Sequence, residues 1–174
     1  MIKAIETRYK GYRFRSRLEA RWAVFFDALG LKWEYEPEGF ELPSGRYLPD
    51  FKLLGIGVTR KSIYTEVKPE GGDSAKAREL ANVVGSVLLL DGPPDNRYYT
   101  LLIGSGGPGL RMCFAHFPGE ARGDLYRGTG KGTPQRPAHA AINAARSARF
   151  EFGESGSIKT DRNYLDAFDA LRRT

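Results

Sequence analysis

Apolar residues recur every three or four positions between residues 16 and 29, and this spacing predicts an amphipathic helix. With about 100° of rotation per residue, Glu19 falls at the edge of the apolar stripe, whereas Arg21 and Asp27 fall well away from it. Glu19 is therefore the charged residue of this helix that we expect to point partly towards the core. The stripe consists of Leu18, Trp22, Phe25, Phe26 and Leu29.

Further along the chain, apolar runs bounded by glycine, proline and polar residues predict strands interspersed with helices. The 174 residues, of which 41% are hydrophobic, suit one α/β domain with a sizeable core. We assign the core and a basic N-terminal arm to residues 1–118, and a loop with a helical C-terminal extension to residues 119–174. The helix over 139–148 is too weakly amphipathic to predict a docking surface. Strands are predicted over residues 32–36, 47–54, 62–68, 86–90, 98–103 and 110–117, and further helices over 75–84, 139–148 and 163–173.

Two acidic residues in neighbouring predicted strands form the first candidate site. If the strands over 47–54 and 62–68 pair antiparallel with a register symmetric about Val58, Asp50 lies opposite Glu66 on the same face. Lys68 shares that face, because side chains two positions apart in a strand point the same way. Two facing carboxylates repel each other and resist desolvation unless a cation lies between them. A hard divalent ion such as Mg²⁺ suits these oxygen ligands.

Ordinary structural roles are the alternatives at each of these positions. An isolated Pro-Asp pair is commonly a turn, and Glu66 with Lys68 could form the solvated face of an antiparallel sheet. Residues 16–19 spell Ser-Arg-Leu-Glu, the capping-box pattern, in which Glu19 would accept a hydrogen bond from the Ser16 amide. Because apolar residues flank Asp50 and Glu66, we favour buried strands and a metal site that also includes Glu19.

In this order, the elements and their acids resemble the PD-(D/E)xK nuclease superfamily, whose restriction-endonuclease-like fold is a mixed β-sheet core flanked by helices. The motif residues are Asp50 after Pro49, then Glu66-Val67-Lys68. The acid on the first helix is similar to that of archaeal-type Holliday junction resolvases and of the endonuclease subunit of Tn7-like transposases. The resemblance covers residues 12–92 and leaves the rest of the chain unexplained.

The resemblance implies a role for each motif residue. Glu19, Asp50 and Glu66 would bind one or two Mg²⁺ ions, for which Mn²⁺ is expected to substitute, and the Val67 carbonyl would be a further ligand. Lys68 would position or help to deprotonate the attacking water, and would offset the charge that develops on the phosphate. Family members typically leave 5′-phosphate and 3′-hydroxyl ends. The helix over 75–84 lacks the Gln-x-x-x-Tyr element of exonuclease-like branches, which argues against a processive exonuclease.

The distribution of charge is consistent with a polyanionic partner. The net charge is +6, and seven lysines and arginines stand against two acids in residues 1–21. Residues 122–174 carry ten against six, whereas residues 22–121 carry ten against thirteen. Basic ends around an acidic centre suit a protein that binds DNA and holds cations at its site. The candidate nucleic-acid contacts are Arg8, Lys10, Arg13, Arg15, Arg17, Lys131, Arg146 and Arg149, and the interleaved Tyr9, Tyr12 and Phe14 could stack on exposed bases.

Other classes of protein are poorly supported by the sequence. The segment over 104–109 matches G-x-G-x-x-G, but it precedes a strand, so we predict a hairpin turn and no organic cofactor. The only histidines are His116 and His139, and Cys113 is the single cysteine, so a zinc cluster is not expected. No apolar run has transmembrane length, the first ten residues lack the apolar stretch expected of a signal peptide, and one cysteine suits a reducing cytoplasm.

These observations predict a cytoplasmic Mg²⁺-dependent DNA endonuclease that acts in phage or mobile-element recombination, repair or DNA processing. A homodimer is expected if the protein resolves four-way junctions, because two strands must then be cut. Two alternatives stay open. One is a DNA-binding subunit that cuts only with a partner in a larger complex, and the other is a nuclease directed at RNA.

Overall fold

The central sheet of the protein has six strands in the computed structural model, which describes residues 6–56, 61–94, 98–104, 109–113 and 136–150. In chain order the elements are β1 (Thr7–Tyr9), β2 (Tyr12–Phe14), α1 (Arg17–Ala28), β3 (Lys32–Tyr35), β4 (Phe40–Leu42), β5 (Gly45–Tyr47), β6 (Phe51–Ile56), β7 (Lys61–Lys68), α2 (Ala75–Val84), β8 (Ser86–Asp91), β9 (Tyr98–Ile103), β10 (Leu110–Cys113) and α3 (Arg136–Ser147). The mixed α/β class predicted from the sequence is confirmed.

The strand order across the central sheet is β10-β9-β8-β7-β6-β3. The pair β7 and β8 is parallel, and α2 connects these two strands. The other neighbours are antiparallel, so the sheet is mixed. Two hairpins, β1–β2 and β4–β5, form small separate sheets.

Side chains of β8 alternate between two apolar clusters, which shows that both faces of the sheet are covered. Leu88 and Leu90 pack in a cluster with the buried face of α1, while Val87 and Leu89 pack with α2 and the β4–β5 hairpin. The predicted helical stripe is largely confirmed, since its three aromatic residues are fully buried and its two leucines are partly buried. The first cluster includes Trp22, Phe25, Phe26, Phe51 and Leu53, and the second includes Leu42, Tyr47, Ala77, Leu80 and Leu102.

The predicted strand over 47–54 is wrong in its first half. The chain leaves β5 at Tyr47 and enters β6 at Phe51, and β5 pairs with β4 instead of the central sheet. Pro49 lies in the break, where it has no N–H to donate to a ladder. Asp50 therefore lies just before β6, with its backbone carbonyl accepting a hydrogen bond from the Glu36 amide at 2.9 Å.

The basic N-terminal segment is a β-hairpin packed on α1, not an extended arm. Lys10 and Gly11 form its two-residue turn with φ angles of 47° and 83°, the left-handed conformation typical of a type I′ turn. Tyr9 and Phe14 are buried in the core, so they are not available to stack on bases, and Tyr12 is the exposed aromatic of the three.

Helix α3 packs against α1, which the weak amphipathicity of residues 139–148 did not predict. Three alanines, Ala141, Ala145 and Ala148, are buried in the main cluster, and the Tyr9 and Phe150 rings meet edge to face at 6.4 Å. Alanine adds little to an apolar stripe, yet small side chains allow two helices to approach closely. The predicted helix over 163–173, the loop over 119–135 and Lys131 lie outside the described residues.

The remaining predicted elements agree with the structure within one or two residues. Helix α2 has the predicted bounds, and β9 pairs antiparallel with β10 across the glycine-rich segment, as a hairpin requires. The strand predicted over 110–117 is described as far as Cys113. Among the described residues, no helix has the length and apolar character needed to cross a membrane.

Candidate active site

From Phe51 to Leu53, the pairing of β6 with β7 follows the register predicted from the sequence, and the register shifts between Leu53 and Ile56. Phe51 lies opposite Thr65 and Leu53 opposite Ile63, and the same register continued by one position places Asp50 opposite Glu66. Both carboxylates are buried, with exposed fractions of 9% for Asp50 and 3% for Glu66. The two acids are therefore neighbours on one face of the sheet and are largely removed from water.

A backbone hydrogen bond holds the Asp50 carboxyl in place, with the Val67 N–H donating to Oδ2 at 2.7 Å. Burial is the main cause that raises the pKa of Asp50 to about 8, and the charge of Glu66 adds to it. Glu19 raises this pKa further, while the Val67 hydrogen bond and Lys68 oppose the shift. Glu19 is therefore close enough to Asp50 for its charge to oppose the ionisation of Asp50.

Two donors satisfy the Glu66 carboxylate. The Tyr47 hydroxyl donates to Oε2 at 2.5 Å, and the Lys68 ammonium lies 2.5 Å from Oε1. Burial and the negative charge of Glu66 raise the pKa of the Tyr47 hydroxyl above its ordinary value, so the hydroxyl keeps its proton. The predicted shared face of Glu66 and Lys68 is confirmed by this ion pair.

Lys68 is a charged ammonium in this arrangement. Burial would lower its pKa, but the hydrogen bond and the charge of Glu66, with Asp50 and Asp73, raise the pKa above its ordinary value. An ammonium of raised pKa is a poor proton acceptor and a good partner for developing negative charge. Of the two roles expected for Lys68, charge stabilisation is the one that its surroundings favour.

Glu19 lies in the first turn of α1, which Ser16 caps, and also faces the site. Its backbone N–H donates to Ser16 Oγ at 3.2 Å, as in a capping box. Its carboxylate accepts from Ser16 Oγ at 2.6 Å and from the Arg15 N–H at 3.1 Å, rather than from the Ser16 amide as predicted. The Tyr35 hydroxyl donates to the same carboxylate at 2.6 Å. Glu19 is 8% exposed, so these hydrogen bonds hold a buried carboxylate in position.

One open cleft of about 1140 Å³ brings together all of the predicted catalytic residues. Acids and Lys68 line it together with cations from three other elements. Its lining comprises Arg15, Ser16, Arg17, Leu18, Glu19, Gly39, Phe40, Glu41, Arg46, Tyr47, Leu48, Asp50, Glu66, Val67, Lys68, Pro69 and Lys76.

The donor set of the cleft fits a hard divalent cation in its chemistry. Three buried carboxylates, Glu19, Asp50 and Glu66, supply the oxygen ligands that Mg²⁺ prefers. Among the described residues, no three His, Cys, Asp or Glu side chains form a group that could hold a metal ion as they stand. Each of the three carboxylates bonds to a protein donor. A bound cation would replace the proton on Asp50 and offset the repulsion between Asp50 and Glu66.

The predicted nucleic-acid contacts divide into two groups. Arg15 and Arg17 line the cleft, with Arg15 also bonded to Glu36 at 2.7 Å. The others described lie outside the cleft lining, exposed on the β1–β2 hairpin, at the end of α3 and just after it. Lys10 bonds to Asp27, Arg13 bonds to Glu6, and Arg8 lies across the hairpin from Arg13. This second group comprises Arg8, Lys10, Arg13, Arg146 and Arg149.

Four residues of the site were not identified from the sequence: Arg46, Tyr47 and Lys76, which line the cleft, and Tyr35, which lies outside the lining and donates to Glu19. Tyr47 stands three positions before Asp50, and this closeness to the motif is the signal in the sequence that could have identified Tyr47. Tyr35, Arg46 and Lys76 gave no comparable signal, because tertiary packing brings Tyr35 to Glu19 and the two cations to the cleft. The sequence matches no protein-family model, and a comparison with curated proteins finds no match.

Proposed function

We propose that the protein is a divalent-metal-dependent nuclease that hydrolyses phosphodiester bonds of DNA, in recombination, repair or DNA processing. The observation that carries the proposal is the burial of Asp50 opposite Glu66, with Lys68 beside them in an open cleft. Facing buried carboxylates destabilise a fold unless protons or cations neutralise them. Such an arrangement serves chemistry on an anionic substrate better than it serves stability.

The topology gives separate support. Helix α1 is followed by β3, β6 and β7, and then by α2 and a strand parallel to β7. Asp50 lies just before β6, and Glu66 and Lys68 lie at the end of β7. This order supports the proposal of a restriction-endonuclease-like core, in which Glu19 on α1 would be the acid that the resemblance implies.

Glu19, Asp50 and Glu66 are the residues that would hold Mg²⁺ or Mn²⁺, with the Val67 carbonyl as a further ligand. The bound ion would supply a Lewis acid and lower the pKa of its coordinated water. The Val67 amide orients Asp50, and Tyr47 orients Glu66, before any substrate arrives. Preorganised groups of this kind cost no reorganisation during reaction.

Lys68 stabilises the charge that develops on the phosphate as water attacks phosphorus and the bond to the 3′ oxygen breaks. The oxygen of the leaving strand takes a proton to become the 3′-hydroxyl, and the attacking water becomes part of the 5′-phosphate. An ammonium that is one-third exposed at the cleft can reach a substrate while it remains beside Glu66.

The proposal is tested with end-labelled duplex, single-stranded, flap and four-way-junction DNA, and with single-stranded RNA, in Mg²⁺ or EDTA. Wild type should cut DNA in Mg²⁺ but not in EDTA, and Asp50→Ala should cut in neither. Glu34→Ala is the matched control, because Glu34 is an exposed acid on β3 outside the cleft lining, and it should cut normally. Full cleavage by Asp50→Ala would overturn the proposed site, and binding without cutting would favour a DNA-binding subunit.

A further inference from the structure

The β4–β5 hairpin is fixed to the rest of the protein beside the cleft. Its apolar residues Leu42 and Tyr47 pack in the same cluster as Leu80 of α2 and Leu89 of β8. The Tyr47 hydroxyl also donates to Glu66 on β7. The hairpin therefore forms a wall with a defined position next to the buried carboxylates.

Two polar contacts tie this hairpin to the first half of α2. The Lys76 ammonium donates to the Arg46 carbonyl at 2.9 Å, and the Ser44 N–H donates to Glu79 Oε2 at 3.2 Å. The first contact brings the Lys76 cation to the base of the Arg46 side chain. The hairpin and α2 thus present two cations together at the cleft.

The Arg46 side chain is available to an anion. Its ion pair with Glu41 measures 2.9 Å, but the two side chains are 89% and 75% exposed. Solvent-exposed ion pairs contribute little, so a phosphate can compete for the guanidinium. Arg15 and Arg17, at the start of α1, also line the cleft. The three buried acids belong to the same lining.

We infer that Arg46 and Lys76 form a second phosphate-binding wall, so that the substrate backbone crosses the acidic centre between this wall and the start of α1. The inference rests on the proposed function for the identity of the substrate. Cations from separate elements can each contact a phosphate of a backbone that crosses the centre. The contact is to phosphate, so it should be independent of base sequence.

Binding of short fluorescein-labelled DNA, duplex and single-stranded, is measured in EDTA over a range of salt concentrations by fluorescence anisotropy. The Arg46→Ala/Lys76→Ala variant should bind at least about tenfold more weakly, with a salt slope smaller by about two for duplex. The matched control is Lys32→Ala/Arg78→Ala, which removes the same charge from two exposed positions outside the cleft lining. Circular dichroism spectra check that both variants fold.

Three results would overturn the inference. One is unchanged binding by Arg46→Ala/Lys76→Ala, another is an equal loss in the control variant, and the third is no DNA binding by wild type. Cleavage separates this inference from the proposed function. If wild type cuts DNA but the variant binds like wild type, the second wall is wrong and the nuclease stands. If wild type binds through Arg46 and Lys76 but cuts no substrate, the wall stands and the nuclease is wrong.

Discussion

The Tyr47 hydroxyl donates a hydrogen bond of 2.5 Å to the buried carboxylate of Glu66. A similar bond of 2.6 Å joins the Tyr35 hydroxyl to Glu19. Each tyrosine comes from a short strand next to the cleft, and each keeps its proton because burial and the neighbouring acid raise its pKa. Two of the three candidate ligands are thus held by neutral donors from outside the motif.

Replacing Tyr47 with phenylalanine should therefore destabilise the protein by about 1–3 kcal/mol, since a buried carboxylate oxygen loses its donor while the ring packing is kept. Urea denaturation in EDTA measures the change. Tyr64→Phe is the matched control, because the Tyr64 hydroxyl donates to the exposed Glu38 and its loss should have little effect. Equal stability of the Tyr47→Phe protein and wild type would contradict a structural role for this bond.

The buried Asp50 carboxyl makes the stability of the metal-free protein depend on pH. Its pKa in the folded protein is about 8, well above the unfolded value near 3.9. The stabilising effect of the protonated carboxyl is complete below pH ~3.9 and is lost as the pH rises towards 8. The metal-free protein should therefore become less stable across this interval.

Asp50→Asn tests this dependence, because asparagine keeps an oxygen that can accept the Val67 N–H bond but carries no charge. At pH 8 in EDTA, the variant should be more stable than wild type by about 1 kcal/mol or more, and at pH 4 the difference should be small. Differential scanning calorimetry at several pH values measures it. Parallel curves for the two proteins would show that the pKa of Asp50 is the same in the folded and unfolded protein.

The helix packing that the sequence did not predict gives another test. Ala141 of α3 is fully buried against α1 and its neighbours, so Ala141→Leu should overpack the interface and cost about 1–3 kcal/mol. Asn143→Leu is the control, since Asn143 is exposed on the same helix. Thermal unfolding compares the two. If Ala141→Leu unfolds at the temperature of Asn143→Leu, α3 does not pack as described.

Local periodicity was enough to predict the parts of the fold in which one face of an element is buried. The stripe of α1, the bounds of α2 and the register that aligns Asp50 with Glu66 all follow from side-chain spacing. The residues that complete the cleft depend on tertiary packing instead. Lys76 reaches it because α2 packs beside the β4–β5 hairpin, and no local pattern records that contact.

Composition does not decide the role of a small or aromatic residue that can serve two purposes. Alternating cations and aromatics in the N-terminal segment suggested a surface for stacking on bases, but Tyr9 and Phe14 alternate because they form the inner face of a hairpin. Alanines weakened the apolar pattern of α3, although Ala145 is fully buried. In both places the tertiary partner, α1, decides the role of the residue.

Replacing Lys68 tests the proposed chemistry directly, because we expect its charge to contribute to catalysis and its side chain to contribute little to the stability of the fold. Lys68→Ala should lower single-turnover cleavage roughly 10²- to 10³-fold, as expected when a group that stabilises transition-state charge is lost. DNA binding should change far less, since one cation of several is removed. Lys61→Ala, at the exposed start of the same strand, is the control and should cut like wild type.

Because Glu66 raises the pKa of Lys68, the lysine should stay protonated through neutral pH, and the cleavage rate should not rise as the lysine loses its proton. Cleavage by Lys68→Ala at the wild-type rate would remove this lysine from the mechanism, whereas a rate that rises with pH only when Lys68 is present would make it the proton acceptor.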